Sequence, residues 1–408
     1  MFRQGFKKVH QLATWLISNP YIDYLILAFL SLVPFLPYRN LIINETNIIY
    51  DINPSLVFWR NTFLWDSASN LGAPDSYSVT IFNFYNFILR SLDINGSIVH
   101  VIWFFLLTFL AAMSMYYFVK VYFPKSNRLF RLLASIAFIY NLFFLRMLLL
   151  GSFLTLNYVV LPLLLGLIYK GLTMNRKIYI VYIALITTIF SNINLTIIAI
   201  DFIVCAIFVL YLLFTQQSLR LKNVLFFLSL VLILAFFLSF WWLMPQFAWF
   251  NNNTNINISL SAETPQSYDR YSSFLETIRL MGELGYYGNY KGVPYVHYAE
   301  NYLTNPIFVF STIIYPIIAV SGFLIKRIRK KTIFFLVLLC IFLFLAVGVY
   351  PLDHATVNAQ IYQWFHNNIP YFSIFRNGFK SVAVISFVYS IMFALSVDSF
   401  FKFINKKI

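Results

Sequence analysis

Charged side chains are scarce in this 408-residue sequence, of which 11% of the residues are charged and 61% are hydrophobic. The mean hydropathy is +0.76. Soluble globular domains carry about 25% charged residues, so the composition excludes that class and indicates a membrane protein. The net charge of +15 does not indicate nucleic-acid binding, because the basic residues form short clusters beside apolar runs, where anionic lipid headgroups neutralise them.

Cysteine and the common catalytic motifs are also nearly absent. Cys205 and Cys340 both lie within apolar runs, so we interpret them as packing residues rather than as a disulfide or a metal pair. The patterns GxxxxGK(S/T), HExxH, CxxC and GxSxG do not occur. The segment Asp51-Ile52-Asn53 is the nearest to an Asp-x-Asp metal motif and lacks the second carboxylate. We therefore expect no required cofactor and find no support for a divalent cation.

The apolar runs are long enough to cross a bilayer, for which about 20 helical residues of about 1.5 Å each are needed. The sequence predicts an all-α membrane bundle of about ten spans that forms one domain over residues 1–408. The predicted spans are 21–38, 98–119, 130–150, 153–172, 178–193, 195–214, 224–244, 306–325, 332–350 and 381–400. Residues 191–194 are either a turn between two spans or a break within one re-entrant element.

Positive and negative charges are segregated between the gaps. Twenty of the 29 Lys and Arg residues fall in or beside every second gap, which the positive-inside rule assigns to the cytoplasm. Eleven of the 14 acids fall in the other gaps, although the assignment used only cations. We therefore expect a multi-pass protein of the cell membrane with cytoplasmic termini and three long extracytoplasmic segments, 39–97, 245–305 and 351–380.

The outer segments are rich in aromatic residues, which argues against disorder. Aromatic residues recur at helical spacing over 54–65 and 80–92, and this pattern predicts interfacial helices that lie against the bilayer. Tyrosine faces stack on sugar rings, whereas the alternative role is an aromatic belt at the membrane surface. The candidates for contact with a sugar or an acceptor are Trp65, Tyr286, Tyr287 and Tyr290.

The candidate catalytic groups are carboxylates of the first outer segment. Asp51 is the leading candidate, because a carboxylate beneath an aromatic roof and partly shielded from water is suited to act as a general base. The alternative is a helix cap, since Pro54 follows and favours a helix start. Asp66 and Asp75 are secondary candidates near the same surface.

Three cations and one acid lie where an ionisable group is costly. Arg376 and Lys380 are four residues apart at the start of the last span; on one helical face they predict a lipid-phosphate site, and headgroup anchoring is the alternative. Arg146, near the outer end of the third span, is costly unless it snorkels or pairs. For Asp201, in the sixth span, the simplest role is that of a buried structural partner.

The order of these features resembles the GT-C superfamily of integral-membrane glycosyltransferases, which use polyprenyl-phosphate-linked sugars. DINPSLVFWRNTFLWDSASNLGAP at 51–74 and FRNGFK at 375–380 look like the first-loop and late basic patterns of its arabinofuranosyltransferase-like and YfhO-like branches. The resemblance implies that Asp51 is the general base, and that Arg376 and Lys380 meet the lipid phosphate.

This resemblance implies an extracytoplasmic transfer, with inversion, of a sugar from a polyprenyl-phosphate donor to an envelope glycan or to a lipid or protein acceptor. One base and a few cations suffice, because polyprenyl phosphate is a good leaving group; we place Arg146 with Arg376 and Lys380 around it. Two alternatives remain. The chain is a transporter or lipid-linked-glycan flippase, with Asp201 and Arg146 on its pathway, or a non-catalytic partner in envelope assembly.

Overall fold

Long apolar helices make up the structure, a computed structural model that describes residues 21–35, 55, 58–59, 65–66, 73–74, 80–150, 155–190, 195–252, 269–294, 296, 298–325, 329–353 and 356–407. The α-helices are α1 Tyr21–Leu32, α2 Thr80–Ser91, α3 Gly96–Tyr122, α4 Arg128–Ile139, α5 Leu142–Leu150, α6 Thr155–Met174, α7 Ile178–Phe190, α8 Leu195–Thr215, α9 Leu221–Asn252, α10 Phe274–Ile278, α11 Leu284–Tyr287, α12 Ala299–Thr304, α13 Pro306–Ser321, α14 Arg329–Val347, α15 Val357–Asn368 and α16 Val382–Lys407. Short 3₁₀ helices cover Val33–Phe35, Asp269–Tyr271, Gly322–Leu324, Phe372–Phe375 and Gly378–Ser381.

Six helices in the described part are long and apolar enough to cross a membrane, or seven if α4 and α5 count as one bent span. The six are Gly96–Tyr122, Thr155–Met174, Thr196–Thr215, Leu221–Trp241, Pro306–Leu324 and Gly378–Ile404. Three further predicted spans correspond to shorter apolar helices, Tyr21–Phe35, Ile178–Phe190 and Lys331–Val347. The helical, multi-pass membrane fold is confirmed, and the predicted count of about ten spans is not.

The predicted third span, 130–150, is broken into α4 and α5, which are inclined at 49°. Asn141 lies at the break and is 4% exposed. Its Oδ1 accepts the Phe144 backbone N–H at 2.9 Å, which caps the start of α5. Its Nδ2 donates to the Phe138 carbonyl at 2.7 Å and to the Tyr158 hydroxyl at 3.0 Å. One side chain therefore satisfies backbone groups on both sides of the bend.

The region predicted to hold either two spans or a re-entrant element forms two helices, α7 and α8. Residues 191–194, which join them, lie outside the described residues. The next helix, α9, continues eight residues past the predicted span end at 244, to Asn252. The first eight residues of the second outer segment are therefore helical.

Hydrogen bonds and ion pairs among the described residues join the helix ends into two groups, one at each end of the bundle. At one end of the bundle, called the basic end, α1 meets α4 through the Asp23–Arg128 ion pair. There Asn127 Nδ2 also donates to Asp398 of α16 at 2.6 Å. Asp23 and Asp398 are two of the three acids that charge segregation left unassigned, and both lie beside cations, since Lys402 pairs with Asp398.

The opposite end, called the loop end, collects the segments predicted to face outward. Tyr286 of the second outer segment donates from its hydroxyl to the Leu142 carbonyl at 3.0 Å. Thr196, at the start of α8, donates to the Ile374 carbonyl in the third outer segment at 2.8 Å. The second and third outer segments thus meet helix ends at the loop end of the bundle.

The first outer segment contains one of its two predicted helices within the described residues. Helix α2 matches the prediction over 80–92, and Phe58 stacks on its Phe87 with ring centroids 4.5 Å apart. Most of the prediction over 54–65 lies outside the described residues. Strands β1 Trp65–Asp66 and β2 Ala73–Pro74 pair antiparallel, as do β3 Asn289–Tyr290 and β4 Val293–Pro294. β2 lies against α9.

We predict that Asn141→Leu lowers the stability by about 1–3 kcal/mol, because the cap of α5 and the bonds to Phe138 and Tyr158 are lost together. The measurement is thermal unfolding of the purified protein in detergent. Asn223→Leu, at an exposed helical position of α9, is the control and should melt like the parent. Equal melting of the Asn141 variant and the parent would refute this account of the bend.

Candidate functional site

The cation pair predicted to bind phosphate lies at the loop end, just before α16. Arg376 and Lys380 are both half-buried. Lys380 Nζ approaches Thr196 Oγ1 of α8 at 3.5 Å. The backbone here forms two 3₁₀ helices, Phe372–Phe375 and Gly378–Ser381, with Arg376 between them. The two cations therefore share one region without sharing the α-helical face that the sequence spacing suggested.

A buried carboxyl group that the sequence did not single out holds this turn in place. Asp269 is 1% exposed. Its Oδ1 accepts the Gly378 backbone N–H at 3.3 Å, and its Oδ2 accepts the Val349 N–H at 3.2 Å. Gly348, with φ of +59°, approaches so closely that a Cβ there would lie 1.9 Å from Asp269 Oδ2. The carboxyl thus joins the second outer segment, the end of α14 and the cation-bearing turn.

Burial raises the pKa of Asp269 to about 8, and the two backbone N–H donors oppose that shift. The turn is also fixed from the other side. Tyr362 of α15 is fully buried and donates from its hydroxyl to the Phe375 carbonyl at 2.7 Å. The backbone on either side of Arg376 is therefore anchored by side chains from two outer segments.

Arg146 forms an ion pair in the structure, and its predicted contact with a phosphate stays a prediction. Its side chain is 4% exposed, and its Nε lies 2.8 Å from Glu283 Oε2 of the second outer segment. Gly285 packs against the guanidinium, where a Cβ would lie 2.1 Å from Nη2. The ion pair offsets the free-energy cost of placing an arginine near the end of an apolar helix. The structure thus gives Arg146 a partner that fastens the second outer segment onto α5.

α5 nevertheless lies close to the cation pair, because its Phe143 contacts Phe379 with ring centroids 5.2 Å apart.

Asp201, the other costly intramembrane charge, accepts a hydrogen bond from Asn157 Nδ2 at 2.8 Å. Its partner there is an amide donor.

The candidate tyrosines of the second outer segment have different environments. Tyr286 is 2% exposed, and the contact of its ring with a sugar stays a prediction. Tyr287 is half-buried and stacks on Tyr271 with centroids 4.8 Å apart; its hydroxyl donates to Glu276. Burial raises the pKa of Tyr287. Tyr290 lies in β3.

The predicted carboxylates of the first outer segment are only partly placed. Asp66 and Trp65 form β1 and pair with Ala73 and Pro74 of β2. Asp51 and Asp75 lie outside the described residues. In the part of the chain that the structure describes, no three His, Cys, Asp or Glu side chains are close enough to hold a metal ion.

Neither a protein-family model nor a curated protein sequence matches the chain. Among solved structures, a cryo-EM structure of arabinofuranosyltransferase AftD from Mycobacteria has a TM-score of 0.60 and 14% identity over 91% of this chain. A mutant form of that enzyme has a TM-score of 0.54 and 13% identity over 93% of this chain. The chain spans 24% and 26% of those two chains.

The likeness to AftD shows the fold alone, which this chain shares with part of that structure. It agrees with the resemblance to the arabinofuranosyltransferase-like branch, and it gives no support to the YfhO-like branch.

We predict that stability falls between about pH 4 and pH 8 through Asp269. With a native pKa of about 8, above its unfolded value, the native state binds more protons than the unfolded state over that interval, so raising the pH favours unfolding. The midpoint of thermal unfolding should fall from pH 6 to pH 8.5, and less steeply in Asp269→Asn. Asp353→Asn, at an exposed outer acid, should keep the parental slope; equal slopes in all three proteins would exclude Asp269 as the cause.

For Arg146 and Glu283, we expect non-additive effects in a double-mutant cycle. Arg146→Met and Glu283→Met should each lower the unfolding midpoint, because each leaves a poorly hydrated charge without its partner. The double variant should recover much of the loss, with a coupling of about 0.5–3 kcal/mol. Additive losses would show that the two charges do not depend on each other.

Proposed function

We propose that the protein is a membrane glycosyltransferase that moves a sugar from a polyprenyl-phosphate donor to an envelope glycan or to a lipid or protein acceptor. The observation that carries the proposal is the GT-C-like fold shared with AftD over 91% of the chain. The half-buried cation pair at the loop end supports it, because a phosphate leaving group needs cations there.

The proposed chemistry needs one base and one anion site. A carboxylate removes the proton of the acceptor hydroxyl, the oxygen attacks the anomeric carbon, and the bond to the polyprenyl phosphate breaks with inversion. Arg376 and Lys380 stabilise the departing phosphate. We assign the base to Asp51, with Asp66 and Asp75 as secondary candidates, and we assign Arg146 to holding the second outer segment.

The proposed side of the membrane is extracytoplasmic. The loop end carries the acids Asp269 and Glu283, whereas the basic end carries Arg128 and Lys402, which belong to two of the basic clusters. By the positive-inside rule the loop end then faces away from the cytoplasm. In this proposal both termini lie in the cytoplasm.

The test is sugar transfer by the purified protein in lipid nanodiscs, with radiolabelled polyprenyl-phosphate sugars and a panel of glycan, lipid and peptide acceptors. Asp51→Asn should lower the rate at least about 100-fold, because general base catalysis is lost. Arg376→Gln and Lys380→Gln should each lower kcat about 100-fold, because the leaving phosphate loses a cation.

Asp353→Asn and Lys291→Gln are the matched controls, since both positions are exposed in outer segments and outside the proposed machinery; both should transfer at the parental rate. Full activity of Asp51→Asn rejects that residue as the base. A second measurement uses the protein in sealed vesicles. Accumulation of the labelled donor inside them without any sugar transfer would show that the protein is a transporter and not an enzyme.

A further inference from the structure

A lateral groove of about 210 Å³ lies between α6, α7, α8 and α9. Its walls are mostly aliphatic and aromatic, and its polar lining comes from Asn157, Thr187, Asp201 and Cys205. Phe202 and Leu232 line it and are 59% and 53% exposed. Because α8 and α9 are membrane-spanning by length and composition, the groove opens toward the hydrocarbon of the bilayer rather than toward water.

The polar floor of the groove has unused capacity to accept hydrogen bonds. Asn157 is 1% exposed, and its Oδ1 is buried without a hydrogen-bond partner among the described residues. Its Nδ2 is used, because it donates to Asp201 Oδ2 at 2.8 Å. A buried acceptor without a donor is unfavourable and rare in folded proteins. The amide oxygen and the carboxyl group together therefore define a place for a donor.

The chemistry of the lining selects the kind of ligand. No Lys, Arg or His is among the described residues that line the groove, so a phosphate head would lack a counter-ion there and would face Asp201. Besides the Asp201 oxygen that accepts from Asn157, the side chains of Asn157 and Asp201 offer two oxygen atoms, fewer than the three N–H donors of an ammonium group. An uncharged hydroxyl supplies the missing donor, and its alkyl chains match the apolar walls.

We propose that this groove binds an uncharged lipid whose head carries a hydroxyl group, with that hydroxyl donating to Asn157 Oδ1 beside Asp201. The site is separate from the cation pair. Asp201 lies five residues after Thr196 on α8, which is about 7.5 Å along the helix axis, and Thr196 is the residue that Lys380 approaches. Binding in the groove does not depend on the proposed sugar transfer.

The experiment is photolabelling of the full chain in phosphatidylcholine nanodiscs. The probe is a diacylglycerol with a diazirine on one acyl chain, and mass spectrometry locates the labelled residues. We expect labelling within α6 to α9. Unlabelled diacylglycerol should compete about tenfold better than its O-methyl ether, which has the same chains and no donor, and phosphatidic acid should not compete.

Variants separate recognition of the head from occupation by the chains. Ala206→Trp and Ala235→Trp fill the groove and should abolish the labelling, whereas Val320→Trp, on the exposed face of α13, should keep it. Asn157→Leu should reduce the tenfold preference for the hydroxyl to about one. Labelling outside the groove, equal competition by the ether, or stronger competition by phosphatidic acid would each overturn the proposal; the competition series needs no variant, so it decides even if Asn157→Leu does not fold.

Discussion

A polar group that neither finds a partner nor reaches an end of the bundle is costly, because the hydrocarbon of a membrane solvates neither charges nor free backbone groups. The contacts follow this constraint. Asp23 and Asp398 lie beside cations at the basic end, and Arg146 pairs with Glu283 at the loop end. These ion pairs lie at the two ends of the bundle, and two of them, Asp23–Arg128 and Arg146–Glu283, join segments that are distant in sequence.

The same constraint explains how the loop end becomes ordered without a separate domain. The second outer segment inserts Asp269 between the end of α14 and the turn before α16, where two backbone N–H groups need acceptors. Glu283 and Tyr286 attach that segment to α5. The position of Arg376 and Lys380 therefore depends on the second and third outer segments together, so a change at Asp269 would act on the proposed phosphate site through the backbone.

The sequence predicted the features that depend on local pattern and missed those that depend on distant contacts. The span predicted at 98–119 corresponds to the helix Gly96–Tyr122. It could be predicted because a long apolar run is itself the signal for a membrane helix. The break at Asn141 was missed, since its reason is a hydrogen bond to Tyr158, on another helix. Asp269 was counted only as an outer acid, and no spacing rule connects it with Gly348 and Gly378. Arg146 was assigned to a phosphate because Glu283, its partner, is 137 residues away.

Two polar sites that favour ligands of different charge lie near each other along α8. Thr196 adjoins Lys380, where anions are favoured. About one and a half turns deeper, Asn157 Oδ1 is a buried acceptor without a partner among the described residues and lies beside Asp201, which favours a neutral donor. At 14% identity, what this chain shares with its structural neighbour is an arrangement of apolar helices, in which one apolar side chain replaces another at little cost. In the two proposals made above, Lys380 beside Thr196 favours an anionic lipid, and Asn157 beside Asp201 favours an uncharged one. Polar groups on or beside one helix would then select between the two lipids.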